Sequence, residues 1–401
     1  MILKSQKINI LALAFLFLNV PMASQAMDEQ ALLIDLLAVP SGTSTISGVK
    51  DVLFKIDNEL KTMGFQTEMK AHPSDPDAAP LLVGTFLGKK PHYITFVLHA
   101  DTVFENANTE FKELDGKLYG PGVIDDKGSV VVALMGIADF LQTNATPAFS
   151  MRVVVSPAEE TGSAGFIKDF QEYSQDSFMV LGFEPALDDG SLVESRRGNR
   201  WYKITVKGKE AHAGRAHKQG INACHELAIK IDQLQKLTDY SKDLTVNIGH
   251  IEGGKDKYNI VCGEAIAKID TRFGDLLSRE ALHAKIVAIL NNPVVKSYDT
   301  KEPTQITYTI EDDTPPFAVN AATKMLLEKY KSIISKIEGK PVLAKKSGGA
   351  ADTNHFSRPG LILIDGLGAV GGKMHTEEEF LILSSLSSRA QALTEFLLSV
   401  P

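Results

Sequence analysis

Seven side chains of the types that bind divalent metals or move protons fall in comparable places: His99, Asp101, Asp125, Glu159, Glu160, Glu184 and His375. Each lies just past an apolar run or in a loop beside one. Neutral imidazole and carboxylate oxygen are the ligands of hydrolytic zinc sites. A pair of such metals, roughly 3.5–4 Å apart, needs about two histidines, two terminal carboxylates and one shared carboxylate. The set meets that count and leaves two acids over. One can orient a metal-bound imidazole, and Asp101, two residues after His99, is the natural candidate. The other can take a proton from metal-activated water. Glu159 beside Glu160 allows one to bind while its neighbour acts as that base. Singly, each residue has a blander reading: aspartate caps helices, glutamate favours first helical turns, and a histidine can simply end a strand. Recurrence of one arrangement is what outweighs those readings. A nucleophilic-serine site is weaker, because no Gly-x-Ser-x-Gly elbow is present, and neither is a phosphate-cradling glycine loop.

The elements that must carry these residues read as an α/β domain. Tyr93–Leu98 is rich in β-branched and aromatic residues and ends at His99. Met151–Ser156 runs into Pro157-Ala158-Glu159-Glu160, and Phe178–Phe183 runs into Glu184-Pro185. In open α/β sheets ligands sit outside the carboxyl ends of such strands. Gly120-Pro121-Gly122 forces a tight turn before Asp125-Asp126, and a helical pattern follows over Val130–Leu141. Another helix is expected from about Ala164. Upstream, Asp28–Leu37 and a stretch to Gly64 read as helices, and Phe65–Met69 and Leu81–Phe86 as strands. Downstream come a helix over Val319–Ile337, the loop Ser347-Gly348-Gly349, a strand over Leu361–Ile364 and a closing helix over 380–398.

Residues 198–314 form a compositionally separate unit. Strands at 200–207, 245–251, 264–273 and 305–310, with helices at 222–237 and 279–290, give the order β-α-β-β-α-β of a ferredoxin-like fold. The organisation expected is a catalytic metal-binding domain over 27–197 and 315–401, a mixed sheet flanked by helices, with an inserted α+β lid. Residues 1–26 carry Lys4 and Lys7, the mostly apolar Ile8–Val20, and small residues Ser24 and Ala26 before a cleavage point. That is a secretory signal, so export to a periplasm or medium is expected. Its removal leaves 40 basic against 50 acidic residues, a net charge of −10. Such a balance argues against nucleic acid or an anionic membrane as partner. Cys224 and Cys262 could form a bridge in an oxidising compartment or remain two free thiols.

Seven motifs occur in order: HADTV from His99, YGPGVIDDKG from Tyr119, SPAEETGS from Ser156, FEP from Phe183, EAHAGRA from Glu210, SGGAADTN from Ser347 and KMHTEEE from Lys373. Together they resemble the zinc exopeptidase and deacylase family of glutamate carboxypeptidase, acetylornithine deacetylase, succinyl-diaminopimelate desuccinylase and aminoacylase, and most nearly its carboxypeptidase G branch. The resemblance implies two Zn2+ per subunit, with Co2+ or Mn2+ as substitutes. His99 and Glu184 would bind one zinc, Glu160 and His375 the other, with Asp125 as bridge. Asp101 would orient His99, Glu159 would be the base, and the Asp125–Asp126 peptide would be cis. Residues 198–314 would make a homodimer, with His212 reaching the partner's site to stabilise an oxyanion. Asn259 and Arg272 would hold a substrate carboxylate, beside Gly348 and Gly349 of the glycine-rich loop. One departure concerns Thr314, where carboxypeptidase G-like relatives can carry an arginine for the substrate's carboxylate. The expected activity is hydrolysis of an amide bond next to a free carboxylate, in a peptide or a folate-like conjugate. A deacylase of N-acyl amino acids or a dipeptidase would use the same site. A non-catalytic peptide-binding protein would have no use for Glu159.

Overall fold

A computed structural model describes residues 28–105 and 110–400. The expected signal peptide lies outside the described residues. Six strands form the larger sheet in the order Gln66–Lys70, Leu81–Phe86, Phe149–Ser156, Lys90–His99, Ser177–Gly182, Ile362–Ile364. The first two pairings are antiparallel and the remaining three are parallel, so the sheet is mixed. Its centre is apolar on both faces, as a covered parallel sheet requires. Ile94, Phe96 and Leu98 pack with Met151, Val153 and Val155 into one core. Val97, Val154 and Val180 point the other way, into a second core with Phe166, Phe170 and Phe356. Truncating a fully buried phenylalanine such as Phe96 costs about 3–5 kcal/mol.

Register brings the strand ends together. His99 pairs with Ser156, and Val97 pairs with Gly182. Three parallel strands therefore finish along one edge, and the loops that leave them share one space. The helix Lys127–Thr143 lies buried under that edge and crosses the closing helix Ser384–Leu398 closely. A Cβ at Gly136 would stand 2.7 Å from Leu393 Cδ2 and 2.9 Å from the Ala390 carbonyl, so only glycine permits that approach.

The smaller sheet is antiparallel, in the order Thr245–Gly253, Glu264–Phe273, Gly198–Lys207, Gln305–Thr314. The helices Ala223–Gln235 and Leu276–Leu290 cover one face, where Tyr202, Ile204 and Val206 are buried. This is the strand order of a ferredoxin-like unit, as the sequence pattern predicts. Cys224 and Cys262 are bonded to each other within it.

Several expectations shift at their edges. The strand predicted over 305–310 continues to Thr314, and the helix predicted from 279 begins at Leu276. The closing helix begins at Ser384, because Phe380–Ile382 pairs with Lys117–Tyr119 as a strand instead. Lys112–Leu114, Leu192–Arg196 and Ala344–Ser347 are further strands that carry too few apolar residues to show a period. The last two pair in parallel, joining the chain just before the smaller sheet to the chain after it.

Candidate metal centre

His99 is buried at the end of its strand. Its Nε2 lies 3.1 Å from Asp125 Oδ1 and 3.9 Å from Glu184 Oε1. Its Nδ1 faces the Asp101 carbonyl at 3.0 Å and Asp101 Oδ1 at 3.3 Å. Asp101 is fully buried and does more than hold one ring. It accepts from Thr43 Oγ1 at 2.6 Å, from the Glu159 amide at 3.0 Å and from the Glu160 amide at 3.3 Å. One carboxylate therefore fixes both the imidazole and the turn that bears the two glutamates. That turn, Glu159–Thr161, is a short 3-10 helix rather than the opening of a longer helix. Gly162 (φ 91°) and Ser163 (φ 47°) end it in left-handed conformations, and the next helix starts at Ile167.

Asp125 sits between two imidazoles. Oδ1 meets His99 Nε2 and Oδ2 meets His375 Nε2, each at 3.1 Å. The Asp125–Asp126 peptide is cis, as the resemblance implies. The turn before it needs glycine at 122, where φ is +69° and a Cβ would stand 2.7 Å from Thr102 Cγ2. His375 Nε2 also lies 3.4 Å from Glu160 Oε2. Among the described residues, ligand atoms within 4.8 Å of one another form three groups: His99 with Glu159 and Glu184, His99 with Asp125 and Asp126, and Asp125 with Glu160 and His375.

The electrostatics favour cations. Burial raises Glu159 well above the ordinary carboxylate range, and nearby Glu184 adds to the rise. Burial and Asp125 push Glu160 up to about 7. Burial lifts Glu184 to about 8 against the opposing pull of His99. The hydrogen bond to Asp125 raises His375 to about 9, although burial opposes it. Glu160 Oε1 and Asp126 Oδ1 are buried without a hydrogen-bond partner among the described residues. Crowded carboxylates, two imidazoles facing one shared acid and two orphaned oxygens fit a site for divalent metal.

These groups open onto a cleft of about 550 Å³. Asp125, Glu159, Glu160, Glu184 and His375 line it from the larger sheet, and Asn199, Trp201, Arg272, Asp312 and Thr314 from the smaller. Gly349 lies on its wall, while Gly348 is exposed and outside the lining. His212 and Asn259 are exposed and lie outside the lining of this cleft. They are held together on one loop pair: the Ala213 amide donates to the Asn259 carbonyl at 2.9 Å, and His212 bridges to Ile260.

Several residues of the site carried no role in the sequence. Asp126 Oδ2 accepts the His99 amide at 3.1 Å. Glu379 is fully buried and its Oε1 accepts the Ile124 and Asp125 amides at 3.0 and 3.2 Å. Asp352 Oδ2 accepts from Ser163 Oγ at 3.0 Å. Arg196 lines the cleft and pairs with Asp365 at 2.6 Å. Asp126, Asp352 and Glu379 fall inside the quoted motifs, and that position was the available signal.

The family model of peptidase family M20/M25/M40 matches residues 95–399. The chain belongs to that family. It is accordingly a metallohydrolase of the peptidase and amidohydrolase type, and enzymes of this family depend on metal. Carboxypeptidase G2 of Pseudomonas sp. (strain RS-16) is 25% identical over 374 residues, covering 91% of this chain and 88% of the relative. Succinyl-diaminopimelate desuccinylase of Rickettsia typhi is 30% identical over 251 residues, covering 57% and 64%. Among solved structures, a tripeptidase from Staphylococcus aureus superposes with a TM-score of 0.75 at 22% identity, covering 93% of this chain and 98% of the other. A metallo-carboxypeptidase of the family from Sulfolobus solfataricus gives 0.72 at 17%, covering 92% and 99%.

Proposed function

We propose that this enzyme is an exported di-zinc carboxypeptidase that removes the C-terminal residue of short peptides or of folate-like conjugates. Asp125 carries the reading: its two oxygens each face an imidazole, with Glu184 beside one and Glu160 beside the other. His99, Asp125 and Glu184 would hold one ion, and Asp125, Glu160 and His375 the second, with Co2+ or Mn2+ able to replace zinc. The metals would polarise the scissile carbonyl and lower the pKa of water.

The chain's own groups divide the remaining work. Asp101 orients His99 and holds the turn of Glu159 and Glu160. The Glu159 carboxylate takes a proton from the attacking water and returns it to the leaving amine. The Arg272 guanidinium receives the substrate's carboxylate, near Gly349. His212, exposed and outside its own cleft, fits a role in a partner subunit's cleft, where its imidazole would stabilise the oxyanion. Asn259, paired to the same loop, would accompany it. This makes a homodimer through 198–314 part of the proposal. The N-terminal residues 1–26 are read as the export signal, cleaved near Ala26.

A second reading, hydrolysis of an N-acyl amino acid, is favoured by the likeness to the desuccinylase. A panel of free peptides, folate conjugates and N-acyl amino acids separates the two by kcat/KM. Glu159→Ala is expected to retain both metals and lose about 10²–10⁴-fold in kcat. Full activity in that variant would overturn the assignment of the base.

A further inference from the structure

The face of the smaller sheet that looks into the cleft carries two rows of side chains. Arg272, Asn199 and Thr314 are opposite one another in the first row, and Asp270, Trp201 and Asp312 in the second. The acids on these strand ends are not equivalent. Asp270 accepts from Arg272 Nε at 3.0 Å and from Trp201 Nε1 at 3.0 Å. Asp313, on the opposite face, pairs with Arg200 at 2.8 Å and also with Arg279. Asp312 has only neutral partners. It accepts from Asn199 Nδ2 and from Thr314 Oγ1, and among the described residues it forms no ion pair.

Asp312 is also aimed at the chemistry. Its Oδ1 lies 3.7 Å from where a Cβ on Gly162 would stand, directly after the turn of Glu159 and Glu160. Both Asp312 and Arg272 line the cleft. An unpaired, half-buried carboxylate gains from any cation that reaches it. Burial raises its proton affinity, with the Asn199 and Thr314 hydrogen bonds opposing.

We infer that Asp312 selects substrates bearing a free protonated amine, so that the preferred substrate is a short unblocked peptide with its carboxylate at Arg272 and its amine at Asp312. The inference rests on the carboxypeptidase reading and narrows it. Arg272 and Asp312 stand two strands and one row apart, roughly 12 Å at the usual inter-strand spacing and rise per residue. An extended peptide advances about 3.4 Å per residue, so roughly three to four residues span that distance. An acid at this wall repels a second carboxylate, so a glutamate side chain directed there is disfavoured.

The test uses the full chain loaded with zinc, with Ala-Ala-Ala and N-acetyl-Ala-Ala-Ala as the matched pair. Wild type is expected to prefer the free tripeptide by roughly tenfold or more in kcat/KM. In Asp312→Asn the ratio should fall toward one, and in Asp312→Lys it should invert. Asp312→Glu, which keeps the charge, should keep the direction of preference. Equal turnover of the two peptides by wild type overturns this inference alone, whether or not a variant folds. So does an undiminished ratio in a folded Asp312→Asn. Turnover of neither peptide, nor of any folate conjugate or N-acyl amino acid, overturns the carboxypeptidase reading and this inference with it.

Discussion

Replacing Glu379 tests how the centre is assembled. Its Oε1 accepts two amides, those of Ile124 and Asp125, at 3.0 and 3.2 Å, and the side chain is fully buried. Glu379→Ala strands both N–H groups away from water. Each orphaned buried donor costs about 1–3 kcal/mol, so the pair costs about 2–6 kcal/mol. Part of that loss should appear as global stability in denaturant titrations of the metal-free protein. The rest should appear where the two amides lead, in the placement of Asp125. Metal affinity, measured by chelator competition, should fall about 10–100-fold, the range for losing a group that positions a ligand. Glu379→Gln separates charge from geometry. It retains an oxygen for both amides, puts an NH2 where Oε2 is already without a partner, and should lose only about 1–2 kcal/mol. An alanine variant within about 0.5 kcal/mol of wild type and with unchanged metal affinity would refute the idea that Glu379 positions the bridging loop, since ordinary surface substitutions cost that little.

Other expectations lie away from the candidate metal centre. Arg389 is fully buried and donates from Nε to Glu338 at 2.9 Å and from Nη2 to the Gly190 carbonyl at 2.8 Å. Arg389→Met takes the buried partner from Glu338 and leaves it, among the described residues, only the exposed Lys340 at 3.4 Å, so urea unfolding should report a loss of about 3 kcal/mol, partly recovered by adding Glu338→Gln. Glu226 is buried in the smaller sheet's unit. Burial alone would raise its pKa, but the Val295 and Val294 amides, Thr304 Oγ1 and Lys230 Nζ together hold it below 4.5. Its stabilisation is therefore complete above about pH 4.5 and fades as pH drops through the lowered folded value. Protection factors at Val294 and Val295, which correct for the intrinsic pH dependence of amide exchange, should fall below that pH, and Glu226→Gln should flatten the dependence.

Much of the site was legible because its residues sit where strands stop. His99, Glu159, Glu160 and Glu184 follow three apolar runs whose ends the parallel register aligns. Asp125 and His375 follow glycine-rich turns with their own composition. Glu379 was hidden by its surroundings: Glu377 and Glu378 are exposed, so the run reads as a solvated charge tract, yet its third member is buried. Asp126 was hidden by adjacency to Asp125, since sequence cannot say which of two neighbouring acids faces the centre. Asp312 sits where the strand outlasts its apolar alternation. Short pairings such as Phe380–Ile382 with Lys117–Tyr119 depend on contacts more than 200 residues apart in the chain, which no local period encodes.

Asp101 holds the His99 ring and, on the same carboxylate, the amides of Glu159 and Glu160. The imidazole proposed as a ligand and the carboxylate proposed as the proton carrier thus share one mounting. When thermal motion shifts the end of the central strand, both shift with it, and their separation is disturbed far less than either position. An anchor common to two parts converts independent errors into a joint one, which the reaction does not feel. Tolerance to motion in the surrounding loops then comes from how the parts are referenced to each other, and the loops themselves need not be stiff.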